Sequence, residues 1–233
     1  MLTNSEKHIV GGEKIRNIIL GLNDGLISTF TLLVGIAAAT IDTQGTTIVI
    51  LTGIAAMIAG AVSMGLGDYI SSKSECNYIH NEIKREIAEI ELLPEEEKQE
   101  VRDIFEKMGF TGDLLNKSVE TITSDKEIWI NFLKKSELGL EEPENPALGA
   151  LLTFIAFIIG ALITLFPYFL NLGYVSLIIS SIISFLMLFI IGTLKTKITG
   201  ESKLRSGFEM IIIGAIAFIV SFLVGTWLGV GLA

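Results

Sequence analysis

Five stretches of the chain, residues 15–39, 46–71, 146–170, 174–194 and 207–232, are almost uninterruptedly apolar. Each has the ~20 apolar residues that a helix needs to cross a hydrocarbon core. Backbone in lipid must satisfy its own polar groups, so the pattern predicts five transmembrane α-helices. The first window contains Asp24 and the second reaches Asp68, so these two are less uniform than the last three. The polar stretch after the second window carries helix punctuation. Pro94 followed by Glu95, Glu96 and Glu97 is a helix start with acids at the positive end of the dipole, and Met108-Gly109 is a stop. Ser124-Asp125-Lys126-Glu127 has capping-box spacing before an apolar-periodic run that Gly139 closes. The expected fold class is all-α integral membrane. Five transmembrane helices divide as 1–72 (spans one and two) and 146–233 (spans three to five), with an acidic helical domain, 73–145, inserted between them.

Composition agrees with membrane spans. Half of the 233 residues are hydrophobic and the mean hydropathy is +0.62, more apolar surface than one soluble core of this size uses. Charge is unevenly spread. Segment 73–145 holds 19 Asp/Glu against 10 Lys/Arg and the rest holds 7 of each, so the whole net charge of −9 sits there. This argues against a nucleic-acid partner, whose binders are basic, and fits a surface that collects cations. The short connections 41–45 and 171–173 lack Lys and Arg. Lys7, Lys14 and Arg16 precede the first window, and Lys195, Lys197, Lys203 and Arg205 precede the last. Positive-inside counting therefore expects the N-terminus and 73–145 in the cytoplasm and the C-terminus on the opposite side. The polar N-terminus and the acid inside the first window argue against a cleaved signal. A single cysteine, Cys76, excludes an intrachain disulfide.

Nothing between Thr46 and Leu92 breaks a helix outright, so the second span is expected to continue past the membrane. At 100° per residue Met57, Met64, Asp68, Glu75, Glu82, Glu86 and Glu89 share a sector of ~60°. The polar part of that stripe is ordinarily just a solvated face. Asp24 and Asp68 differ, because a carboxylate at the centre of a span costs ~2.5–3.5 kcal/mol on insertion scales and is kept for a role. Asp24, Ser28, Thr31 and Gly35 line one face of the first span. Gly21 and Gly25 flank the acid as a GxxxG pair that admits a close neighbour. Such polar and small faces predict a homodimer with span one at its centre. Met57 and Met64 are ordinary apolar filler apart from their alignment with Asp68. His8, His80 and Cys76 have no assigned role.

The stretches Gly21-Leu22-Asn23-Asp24-Gly25 and Ser63-Met64-Gly65-Leu66-Gly67-Asp68-Tyr69 resemble the vacuolar iron transporter family. So do Ser71-Ser72-Lys73-Ser74-Glu75, Ser136-Glu137-Leu138-Gly139-Leu140-Glu141 and the Asn145-Pro146 entry to span three. The resemblance covers nearly the whole chain. It implies a dimer of five-span protomers that exports Fe²⁺, and often Mn²⁺, from the cytosol against protons, with the ion path between protomers. The family's first-span aspartate falls on Asp24 and its second-span methionine on Met64. Its cytoplasmic metal ligands fall on Glu86, Glu89, Glu97, Glu100 and Glu137. Two departures stand out. Ala56 occupies the position of a glutamate in plant members, with Asp68 as an acid four residues after the methionine. Leu133 and Lys134 replace paired methionines. Oxygen-rich ligation with fewer thioethers suits Mn²⁺ or Fe²⁺ without strong selection between them.

The expected function is therefore export of Fe²⁺, Mn²⁺ or a similar divalent ion by proton antiport, without a cofactor and without enzymatic chemistry, in the cell membrane of a prokaryote. Asp24, Met64 and Asp68 form the expected path, and Asp24 is the group for which ion and proton compete. A metal-binding or sensing protein anchored in the bilayer also explains the glutamates but leaves Asp24 without a role. A membrane di-iron enzyme would need Glu-x-x-His pairs, and neither His8 nor His80 sits three residues after a glutamate.

Overall fold

The computed structural model describes residues 12–40, 45–136 and 145–232, and among them there are eight α-helices and no strand. The helices are α1 (Gly12–Ala39), α2 (Thr46–Leu92), α3 (Pro94–Lys107), α4 (Gly112–Thr123), α5 (Lys126–Ser136), α6 (Pro146–Leu165), α7 (Tyr174–Thr199) and α8 (Lys203–Leu232). A 3-10 turn, Phe166–Leu170, follows α6. Five helices, α1, α2, α6, α7 and α8, are long and apolar enough to cross a membrane, so the chain is a multi-pass membrane protein. The chain divides into two compact units, Met1–Tyr69 with Asn145–Ala233, and Ile70–Glu144. α2 is one unbroken 47-residue helix through that boundary.

In the membrane unit α1 packs against α6, α7 and α8. Glycines bring backbones into contact: a Cβ on Gly25 would stand 2.1 Å from the Phe157 carbonyl oxygen, and one on Gly225 2.1 Å from that of Gly35. Close approach of this kind is what small residues supply where no hydrophobic effect drives helices together. Gly21 meets Thr153 and Gly25 meets Phe157, so α1 and α6 run parallel. Gly225 meets Gly35 and Gly229 meets Ala39, so α8 runs the same way. α2 is antiparallel to α6, with Gly53 under Leu165, Gly60 under Phe157 and Gly65 under Phe154. Phe30 sits 5.6 Å from Phe185 and 5.9 Å from Phe218, filling the space among α1, α7 and α8. One interior hydroxyl ties two helices through the backbone: Ser180 Oγ of α7 donates to the Thr164 carbonyl of α6 at 2.6 Å.

The second unit closes the end of α2 with α3, α4 and α5 around Ile90, Val101, Phe105, Leu115, Val119, Trp129 and Leu133. Pro94 opens α3, with Glu95, Glu96 and Glu97 in its first turn, and Met108 caps it ahead of Gly109 at φ 92°. Two details differ from the sequence reading. α4 is a separate helix, entered through Gly112 at φ 60°. The cap of α5 is Asp125, whose Oδ1 accepts from the amides of Glu127 (2.8 Å) and Ile128 (3.0 Å). Ser124 instead ends α4. Gly139, expected to close α5, lies outside the described residues. Leu133, where the resemblance implies a methionine, is wholly buried in this core.

Candidate functional site

Because Gly21 and Gly25 press α1 against α6, Asp24 between them is turned off that contact and stands exposed in the single chain. It opens into a cavity of about 490 Å³ with Ser28, Gly60, Ser63, Met64 and Phe157 on its walls. The Ser28 hydroxyl donates to the backbone carbonyl of Asp24 at 2.5 Å, so its oxygen keeps only its acceptor capacity. Ala56 lines the same cavity, so the residue that departs from the family pattern faces Asp24's surroundings. A carboxylate, a thioether and the three hydroxyl residues Ser28, Thr29 and Ser63 give the cavity a mixed hard and soft lining. Met57 packs with Met64 against Ala61, Phe157 and Ala161 and does not line the cavity. Asp68 does not line it either. Its carboxylate turns to α6 and accepts a hydrogen bond from Thr153 Oγ1 at 2.9 Å.

In the second unit, the turn at Leu93-Pro94 folds α3 back on the end of α2, and Glu97 N donates to the Leu93 carbonyl at 3.1 Å. This brings Glu86 of α2 to Glu97 and Glu100, an i, i+3 pair on one face of α3. One oxygen of each lies within 4.8 Å of the others. An ion with oxygen ligands at about 2.0–2.6 Å spans such a set, since two of its ligands lie no more than about 4–5 Å apart. Glu86 and Glu97 are each 5 % exposed, and Glu97 Oε2 is buried without a hydrogen-bond partner. Burial pushes the Glu97 carboxyl up from its ordinary range, the Glu100 charge adds to this, and a hydrogen bond with Glu86 opposes it. The site as it stands is thus short of positive charge.

Glu89 stands apart from that trio. Arg85 Nε reaches its two oxygens at 3.2 and 3.4 Å, and Arg85 Nη1 lies 3.6 Å from Glu82. The helical spacing that aligned Glu86 with Glu89 also offered Glu89 an arginine four residues earlier. Glu137 lies outside the described residues. The imidazole Nδ1 of His80 is 2.8 Å from the Cys76 carbonyl, and neither residue joins the carboxylate group. Sequence reasoning missed Thr153 and Arg85. The first signals itself only as a hydroxyl within an apolar span, and the second only as a cation inside an acidic stripe.

Comparison with known proteins gives the fold a family. The VIT family model matches residues 15–226. Vacuolar iron transporter 1 of Arabidopsis thaliana is 39 % identical over 222 residues, covering 94 % of this chain and 88 % of that protein. The vacuolar iron transporter of Plasmodium falciparum is 32 % identical over 234 residues, 95 % of this chain and 85 % of its own length. Protein CCC1 of Saccharomyces cerevisiae is 33 % identical over 215 residues, 87 % and 65 % of the two chains. Matched from its first span to its last, the chain belongs to the VIT family, the vacuolar iron transporter family that its motifs resemble.

Proposed function

We propose that this chain carries a divalent transition-metal ion, Fe²⁺ or Mn²⁺, out of the cytoplasm across a membrane in exchange for protons, acting as a homodimer in the cell membrane of a prokaryote. The observation that carries the reading is Asp24, a carboxylate on a membrane helix, exposed in one chain and opening on a cavity shared with Met64. Lipid is a poor neighbour for that carboxylate and for the exposed Ser28 and Ser63 beside it. A second copy covering the face would turn the open cavity into an enclosed path. There Asp24 binds the ion or a proton in turn, and Met64 adds a thioether that favours softer ions. Relatives named for iron transport support the cargo class. In this proposal residues 73–145 lie in the cytoplasm as a metal-binding domain. Glu86, Glu97 and Glu100 collect the ion there, and the family resemblance adds Glu89, once it leaves Arg85, and Glu137 as further ligands.

The test is flux into proteoliposomes of purified protein, with Fe²⁺ or Mn²⁺ on one side and a pH-sensitive dye on the other. Asp24→Asn keeps the volume but cannot ionise, and it should lose transport by at least about tenfold. Flux within about twofold of wild type would remove Asp24 from the path. Metal flux with no matching proton movement would remove antiport.

A further inference from the structure

Thr153 is wholly buried in the middle of α6 and ties three helices together. Its carbonyl oxygen would stand 2.5 Å from a Cβ on Gly21 of α1, so its backbone is fixed in the groove one turn from Asp24. Its hydroxyl donates to Asp68 of α2 at 2.9 Å. Thr31, Thr52 and Thr164 satisfy the hydroxyl on their own helix, on a carbonyl three or four residues back. Thr153 instead reaches across to another helix. Space for this meeting is kept by Gly149, where a Cβ would come within 3.6 Å of Asp68 Oδ2 and 2.8 Å of the amide nitrogen of buried Asn17.

The rest of the α2–α6 contact is close glycine packing: a Cβ on Gly53, Gly60 or Gly65 would come within 2.6, 2.3 and 3.1 Å of Leu165, Phe157 and Phe154. These contacts exclude a large rotation of α2, which would carry a side chain into the space the glycines leave, but apolar contact is non-directional and does not fix the last degrees of the helix phase. A hydrogen bond is directional and does. Met64 lies one turn before Asp68, and a rotation of only ~20° would swing a side chain about 5 Å from the axis through ~2 Å, enough to stretch a bond to an ion at Asp24 well past its ordinary length.

We infer that Thr153 is a positioning residue for the ion path: through Asp68 it locks α2 in the phase that turns Met64 toward Asp24. The inference rests on the reading that Asp24 and Met64 form that path. Asp68 then acts as a hydrogen-bond acceptor facing α6, and its charge is not what the path uses.

The experiment is Mn²⁺ flux in proteoliposomes of the full chain, resolved into KM and kcat. Thr153→Val keeps the shape and removes the donor; its KM for Mn²⁺ should rise on the order of tenfold, the effect of about 1.4 kcal/mol. Thr153→Ser restores the donor and should return KM to within about twofold of wild type. Asp68→Asn retains an acceptor oxygen and should stay within about threefold, whereas Asp68→Ala should match Thr153→Val. The double variant Thr153→Val/Asp68→Ala should be no worse than either single one, because both remove the same bond. A Thr153→Val protein with wild-type KM and kcat overturns the inference. So does Asp68→Asn as inactive as Asp68→Ala, which would make Asp68 a charged group of the path. Should Thr153→Val fail to fold, the Asp68→Asn and Asp68→Ala pair decides alone, and equal KM values overturn the inference. Asp24→Asn is the separate control: if it transports normally, the path reading has failed whatever Thr153 does.

Discussion

Glu97→Gln separates charge from shape at the carboxylate cluster, and the empty and loaded states should respond in opposite directions. Two like charges 4.8 Å apart, the outer limit of the trio, repel by about 3.5 kcal/mol at an effective dielectric of 20 and by about 1 kcal/mol in water. Glu97 is buried and Glu100 exposed, so the true value lies between these limits. Allowing for the weakened hydrogen bond to Glu86, neutralising Glu97 should stabilise the metal-free unit by about 1 kcal/mol. Metal binding to the wild type at 100 times Kd adds about 2.7 kcal/mol, which slows amide exchange by opening of the unit about 100-fold. Hydrogen–deuterium exchange on α3 and α5 peptides of the full-length protein, with and without Mn²⁺, reads both effects. The wild type should show the large metal-dependent slowing. Glu97→Gln should exchange several-fold more slowly without metal and hardly respond to it. Faster exchange in metal-free Glu97→Gln, or an undiminished response to Mn²⁺, would refute the reasoning. The pH dependence follows in sign. A carboxyl raised above its usual 4.5 contributes stability that is complete below that value and is lost as pH climbs through the raised one. The ion needs the carboxylate, so metal protection should strengthen over the same interval and binding should release a proton.

Gly25→Ala should abolish monodisperse protein on size exclusion, because its Cβ would meet the Phe157 carbonyl; Gly67→Ala, with nothing within 4 Å, should express normally. Ser28→Cys, in a protein whose Cys76 is changed to serine, should form a dimer crosslink in membranes, and a monomeric product would count against span one at the centre of the assembly. Arg85→Gln frees Glu89 from an exposed ion pair and removes a cation from the rim of the site. Mn²⁺ should therefore bind at least about twofold more tightly by calorimetry; unchanged or weaker binding would show that Arg85 does not compete.

The spans, the unbroken α2 and the start and stop of α3 were legible because each rests on local signals: hydropathy over a membrane's thickness, a proline with three acids, a glycine at positive φ. α4 was not, since its N-cap Thr111 makes no side-chain bond and its entry depends on Gly112, which a sequence shows only as another turn residue. The family resemblance, not the residue pattern, pointed to Glu86, Glu89, Glu97, Glu100 and Glu137; that Glu86, Glu97 and Glu100 lie together is the work of helix phase and a proline turn, both local. Glu89 shares the same phase, but Arg85 one turn away took it, and periodicity does not rank competing partners. Asp68 shows a further limit. Phase said which side of α2 it occupies, but two helices border that side, and only tertiary packing chose Thr153 of α6 over the cavity at Asp24.

The separation of 85 positions between Asp68 and Thr153 also sets a timetable for biogenesis. α1 and α2 leave the ribosome with Asp24 and Asp68 on their faces, while the helix that supplies Thr153 and Phe157 has yet to be made. At about 5–20 residues per second the wait is ~4–17 s, long compared with the microsecond scale of helix formation. During that interval two acid-bearing hairpin helices depend on the insertion machinery or headgroup water for shelter. Quality-control proteases of the membrane should therefore recognise this protein by its first two spans, and slowing synthesis between residues 70 and 145 should lower its yield more than slowing it after α6.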